Sequence, residues 1–309
     1  PTQPIPSKPA PYSQQGLVEA DIIDYTPAIK DSAMKIGKRC RMGPYFIPAS
    51  PADGSGPSGL RCSWYAPGAS GGVNIDGGAT ADPETGMLYV GSQSGMSTTS
   101  LQKDPCSEFR YSSPHDSCGL LGALPEPQGY VKPASSGRGR GGGGFEGRAG
   151  TTTIGGREGI SIFKPKQLGG VTGYNMNTGD KTWWTPNGNK LVPVTTNDPF
   201  FAGVTLPPST GGRGQPQVIT TKSLVIYGTG RSGGAGGGAP QLYALDKATG
   251  KQVGAVNIPS RTSAVPMTFL HQGKQYIVFA IGAGDSTSLV ALTLPAGESG
   301  GGRPKGNNK

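Results

Sequence analysis

The chain has 309 residues, a formal net charge of +9 and only 15% charged residues, with Gly 54 and Pro 29 far above average usage. Gly and Pro are the two poorest helix formers, so this mixture excludes a predominantly helical protein. No stretch approaches ~18 consecutive apolar residues, which excludes a transmembrane helix.

The chain opens on a Pro-rich run, PTQPIPSKPAPY, without Met, a basic start or an apolar signal core. Such a run suits a crossing between two parts of one protein, so a preceding N-terminal portion is expected. One helix follows. Thr26 can cap it, Pro27 takes the first helical position, and Ile29, Ala33 and Ile36 recur at helical spacing up to Gly37. From there β-rich runs dominate: MLYVGS (Met87 to Ser92), SLVIYG (Ser223 to Gly228), QYIVFAIG (Gln275 to Gly282) and SLVALTL (Ser288 to Leu294). Each is rich in Val, Ile, Tyr or Phe and bounded by Gly, Asp, Ser or Lys, the signature of short strands. The segment from Ser94 to Gly170 resists assignment, with Pro and Gly clusters over a length that is functional or disordered in most domains. The last residues, GESGGGRPKGNNK, read as a disordered tail. The expected organisation is a lead-in with a short helix over 1–61, a β-rich body over 62–295 with a long loop around 94–170, and a tail over 296–309.

Two segments match each other. GYNMNTGDKTWW (Gly173 to Trp184) and ALDKATGKQVGA (Ala244 to Ala255) each place an apolar stretch before an N/D-x-x-T-G turn and another stretch after it. Gly accepts the positive φ that a tight reversal requires, so each unit reads as strand, turn, strand. A strand–turn–strand unit that recurs points to an all-β repeat architecture, a β-propeller.

The basic balance raises the question of nucleic acid. Much of the charge lies in Gly-rich runs, including Arg138, Arg140 and Arg148 of GRGRGGGGFEGR, which is like an RGG-type segment. No platform of stacking aromatics lies near it, so a solvated loop is the expected reading and nucleic acid is not an expected partner. Four cysteines are present. Cys106 and Cys118 bracket a loop and can form a disulfide, while Cys40 and Cys62 can pair or stay buried; the spacing does not decide between these. His115 between Cys106 and Cys118 makes a lone, weak zinc pattern. No C-x-x-C-H occurs, so no c-type haem attachment is expected.

The blocks PGASGGVNIDGGATADPETGMLYV, GGVTGYNMNTGDKTWW, LYALDKATGK and VPMTFLHQGKQYIVFAIGAG together resemble the C-terminal half of a pyrroloquinoline-quinone (PQQ) dependent dehydrogenase. The likeness is to glucose- and alcohol-dehydrogenase-like members and runs, with gaps, to about Pro295. The Thr-Gly units are similar to that family's tryptophan-docking repeat. Trp183 supplies the tryptophan of the first copy, and Gly254 stands at its place in the second. The resemblance implies about four blades of an eight-bladed propeller, with PQQ and Ca²⁺ near its axis. Calcium would act there as a Lewis acid on the quinone. It further implies a periplasmic location, or membrane association on the periplasmic side, and oxidation of an aldose or alcohol. Electrons would pass to a quinone or cytochrome. The cofactor and metal would be held largely by a missing N-terminal propeller half.

The resemblance assigns Asn74, in GGVN, a contact with the cofactor, although Ile75 follows where the family has tryptophan. An amide suits a quinone oxygen, since it donates while remaining neutral. An Asn among glycines also suits a left-handed turn. Gly284, in the loop after the last-blade signature, is expected to let backbone approach the central cavity. Asp82 and Asp246 occupy turn positions, and Asp285 follows the GAG loop; no residue of this chain is expected to be the catalytic base or a metal ligand. Trp183 is expected in inter-blade packing, and Trp64 has no assigned role. The alternative is a non-catalytic propeller with the same hairpin repeat, acting as a scaffold; GGVN and the PMTF block favour the enzyme.

Overall fold

The computed structural model describes residues 6–44, 47–68, 71–73, 77–108, 111–112, 118, 123–129, 151–154, 157–164, 167, 169–187, 202–203, 211, 214–228, 239–282 and 284–294. They form mostly antiparallel sheets with one α-helix, a partial β-propeller.

Three sheets stack in chain order. In the first, Ala79–Asp82, Met87–Gln93, Gly169–Asn175 and Asp180–Pro186 lie side by side, and Gly72–Val73 adds to the inner end of Met87–Gln93. The second is a four-stranded meander of Gln217–Thr220, Leu224–Gly228, Gln241–Asp246 and Gln252–Asn257. The third has three strands, Met267–His271, Lys274–Ile281 and Ser288–Thr293. Alternation along the strands gives each sheet two faces, and the stack is built from them. Tyr89 and Val171 of the first sheet bury against Val218, Val225, Tyr227 and Leu245 of the second. The opposite face of the second sheet, through Ile226 and Leu242, meets Phe279 and Ile281 of the third.

The Thr-Gly turns form one structure used three times. Asp82–Gly86, Asn175–Gly179 and Asp246–Gly250 each end on a Gly at positive φ (68, 73 and 69°), whose N–H donates to the first residue's carbonyl at 2.9, 2.8 and 2.8 Å. The first residue's side chain also accepts from backbone within the turn: Asp82 from Glu84 N at 3.2 Å, Asn175 from Asn177 N at 2.9 Å, Asp246 from Thr249 N at 2.9 Å. Asp and Asn favour this turn because the short carboxylate or amide reaches the N–H group two residues on. The two turns that join third to fourth strands share a β-bulge, at Gly173/Tyr174 and at Ala244/Leu245.

The long segment after Gln93 leaves the first sheet to build a side module. Its strand Ser97–Lys103 pairs with Ser63–Tyr65, Ser50–Pro51 and Tyr111–Ser112. The helix Pro27–Gly37 forms as its sequence demands: Thr26 Oγ1 accepts from Ile29 N at 3.2 Å, with Pro27 in the first turn. Ile29 and Ala33 bury in a separate core with Leu17, Ile22, Trp64 and Phe163. Trp64 has a structural place here. Its Nε1 donates at 2.9 Å to the carbonyl of Gly37 at the helix end, which also accepts from Cys40 N at 3.3 Å, and its ring meets Phe163 edge-on at 5.1 Å. Cys40 pairs with Cys62, and Cys106 with Cys118. The first staples the helix to the module, and the second closes the loop between them.

Candidate functional site

Strand register divides the stack into two ends. The three Thr-Gly turns gather at one. At the other lie Gly72–Val73 and Gln93 of the first sheet, Gln217 and Gly228 of the second, and Ile281 of the third, because the opening strand of each sheet runs away from this end and the next strand returns to it.

The turn end is locked by direct bonds between sheets. Lys247 Nζ meets Asp82 Oδ2 at 2.6 Å in a pair nearly out of solvent, at 14% and 6% side-chain exposure. The Lys247 ammonium and then the Thr85 hydroxyl (2.5 Å) hold the Asp82 carboxyl below its ordinary value. Trp183 Nε1 donates to the Lys247 carbonyl at 3.3 Å, and its ring stacks on Tyr89 at 5.6 Å. Gly250 lies against that ring: a Cβ there would stand 2.5 Å from Trp183, so only glycine fits. The tryptophan of the repeat therefore serves inter-sheet packing. At Gly254, where the second copy lacks it, the outer strand Gln252–Asn257 is largely solvent-exposed.

The opposite end gathers neutral amides and hydroxyls beside glycines. Gly214 N donates to Gln93 Oε1 at 2.9 Å, and Asn187 Nδ2 donates to the Gly214 carbonyl at 3.1 Å. Gln215 Nε2 reaches the Gly72 carbonyl at 3.4 Å. Thr262 packs on Gly228 and bridges to Ile281, after which the chain turns at Gly282 (φ 84°) into a short 3-10 turn, Gly284–Ser286. Asn187 Oδ1, Gln217 Oε1 and Thr262 Oγ1 are buried without a hydrogen-bond partner. Such atoms are normally satisfied by ordered water or by a bound group.

The structure sets Gly284 at this end, in the turn after the strand Lys274–Ile281. Asn74 lies outside the described residues, as does His115; the residues flanking Asn74, Gly72–Val73 and Gly77, come to the same end as Gly284. Asp285 is exposed there, and Asp82 and Asp246 sit in turns at the far end. The polar residues Gln93, Asn187, Gln215, Gln217 and Thr262 carry no sequence signal, because amides beside Gly and Pro look like ordinary loop residues until the sheets stack.

Amide and hydroxyl groups of this kind suit the oxygens of a neutral planar molecule. A calcium ion takes several oxygens, carboxylates among them, and these side chains by themselves supply only amide and hydroxyl oxygens. Among the described residues, no group of three or more His, Cys, Asp or Glu side chains is placed to hold a metal.

The chain resembles known proteins at two levels. A family model described as the glucose/ethanol/alcohol dehydrogenase β-propeller domain, of the PQQ type, matches residues 1–277. Among solved structures, the quinohemoprotein alcohol dehydrogenase of Comamonas testosteroni is 18% identical (TM-score 0.36), with 77% of this chain and 28% of that chain covered. A quinohemoprotein alcohol dehydrogenase of Pseudomonas putida HK5 is 15% identical (TM-score 0.34), with 72% and 24% covered. A europium-containing methanol dehydrogenase is 15% identical (TM-score 0.33), with 66% and 24% covered. The chain thus spans only 24 to 28% of the length of these solved relatives. No curated protein sequence matches. With nearly the whole β-rich body inside the matched region, the chain belongs to the family of PQQ glucose/ethanol/alcohol dehydrogenase β-propeller domains.

Proposed function

We propose that this chain is part of a periplasmic PQQ- and calcium-dependent dehydrogenase that oxidises an aldose, glucose-like, or an alcohol and passes electrons to a quinone or cytochrome. The observation that carries this reading is the family match over residues 1–277, laid on a stack whose one end gathers neutral amides and glycines. PQQ, when bound, supplies a two-electron acceptor. The part of this chain is to wall that acceptor: Asn74 offers an amide to a quinone oxygen, and the turn at Gly284 lets backbone approach closely. The catalytic base and the calcium ligands are assigned to protein outside the described residues.

The test is reconstitution of the full-length protein with PQQ and Ca²⁺, followed by dye reduction with a panel of aldoses and alcohols. Turnover that requires both additions is the expected result. A protein that binds no PQQ and turns over no substrate would instead be a scaffold propeller, and the reading would fail.

A further inference from the structure

Gly72–Val73 and Gly77–Gly78, the two stems around GGVN, are held by their neighbours as well as by their own sheet. Their own sheet ties them twice: Gly72–Val73 pairs with Gln93–Ser92, and Gly91 N donates to the Gly78 carbonyl at 2.6 Å. The leading segment of the second sheet adds two more ties. Val218 N donates to the Gly77 carbonyl at 3.3 Å, and Gln215 Nε2 to the Gly72 carbonyl at 3.4 Å. From the connection into the third sheet, Val265 fills the space beside Gly77 that a Cβ would need, and Gly77 itself sits at φ 81°. The Pro216 carbonyl likewise occupies the Cβ space of Gly91, drawing the second sheet's lead-in onto the first. The first sheet, the second sheet and the connection into the third therefore meet at these two stems.

We propose that Gln215 and Val265 are positioning residues that fix the stems of the 72–78 segment, so that docking between sheets sets the geometry of the cofactor end. This rests on the reading of that end as the PQQ end. Gln215 fixes the stem at Gly72 through its amide, and Val265 fixes the stem at Gly77 by contact. Neither touches the cofactor. Both act through the backbone that leads into and out of GGVN.

The experiment compares the full chain with Gln215→Met, which keeps size and loses the donor, with Gln215→Lys, which restores a donor, and with Val265→Ala. Amide hydrogen exchange of the apo chain is read at 72–78 and, as an internal control, at the turn 246–250. PQQ binding in the presence of Ca²⁺ is read by fluorescence titration. Loss of one hydrogen bond predicts exchange at 72–78 about fivefold faster in Gln215→Met and a PQQ dissociation constant raised by a similar factor. The control turn should be unchanged, Gln215→Lys should return toward wild type, and Val265→Ala should act at Gly77. Unchanged exchange at 72–78, or an equal rise in exchange at the control turn, overturns the proposal. If the wild-type chain binds no PQQ, the cofactor reading falls by itself, and the exchange comparison still decides whether these residues position the segment.

Discussion

Asp82 shows how one side chain serves two levels of structure. Its carboxylate accepts from Glu84 N at 3.2 Å and from the Thr85 hydroxyl, shaping its own turn, and it also pairs with Lys247 of the next sheet. Burial without that partner would leave an uncompensated charge, so breaking the pair costs more than forming it gains. The folded carboxyl titrates below its ordinary value of 3.8, chiefly through the Lys247 hydrogen bond. A depressed folded value means the contribution is present above the ordinary carboxylate range and is lost as pH falls through it toward the lowered folded value. Asp82→Asn should therefore lower the melting temperature by several degrees at neutral pH and flatten its fall on acidification below about pH 4. Thermal melts of both proteins across that range check this; parallel curves would refute it. Tyr227 is the opposite case. Its hydroxyl is buried without a partner, and burial raises its pKa well above the tyrosine range.

At the scale of the element, the Thr-Gly turn joins neighbouring strands within a sheet and docks that sheet on the next. Two of its three copies are legible as a matched pair because each has the same residues at the same offsets. The third, DPETG, is visible as a turn, yet its identity with the others rests on geometry: the same Gly at positive φ and the same N–H to carbonyl bond. The turn Asp246–Gly250 docks on Trp183, with Thr185 Oγ1 donating to the Gly250 carbonyl at 2.5 Å. Gly250 thus meets two demands, a positive φ of 69° and contact with an indole. Gly273, in the hairpin of the third sheet, meets only the first, at φ 75° with open space around it. Gly273→Ala should cost about 1–2 kcal/mol, the strain of a Cβ in the left-handed region. Gly250→Ala should cost clearly more, since the methyl also displaces Trp183. Chemical denaturation of the two variants measures the difference, and equal midpoints would deny the docking its role. Helix Pro27–Gly37 was legible in full, from Thr26 through Pro27 to Gly37, because capping and periodicity are local properties.

The whole stack is asymmetric. On the first sheet, residues 8–10 lie across the outward face: Tyr174 donates its hydroxyl to the Ala10 carbonyl at 2.7 Å, and Lys8 pairs with Asp180 at 2.7 Å. Burial beneath that strap pushes the Tyr174 pKa up to about 12. The third sheet has no such cover among the described residues. Its outward face aligns Met267 with Val278 and Ala291, and Phe269 with Tyr276, with Leu289 beside Ala280. Met267 and Leu289 are 55% and 77% exposed. A contiguous apolar face of this kind promotes association. The chain by itself should self-associate as concentration rises, and Leu289→Lys should reduce this with little change in melting temperature, because the side chain buries almost nothing. Sedimentation velocity at several concentrations decides the point; a wild-type chain that remains monomeric throughout would contradict it.

The strand content, the helix and the repeated turn were determined by the sequence alone, because each depends on residues within a few positions of one another: alternation, capping, and glycine at a positive φ. The pairing of Cys40 with Cys62 and of Cys106 with Cys118, the lock between Asp82 and Lys247, and the gathering of Gln93, Asn187, Gln215 and Thr262 at one end were decided only by the tertiary structure. Those contacts join residues as far as 165 positions apart, as Lys247 is from Asp82. Nothing in the local chemistry of an amide or a lysine names its partner; the stacking of twisted sheets does.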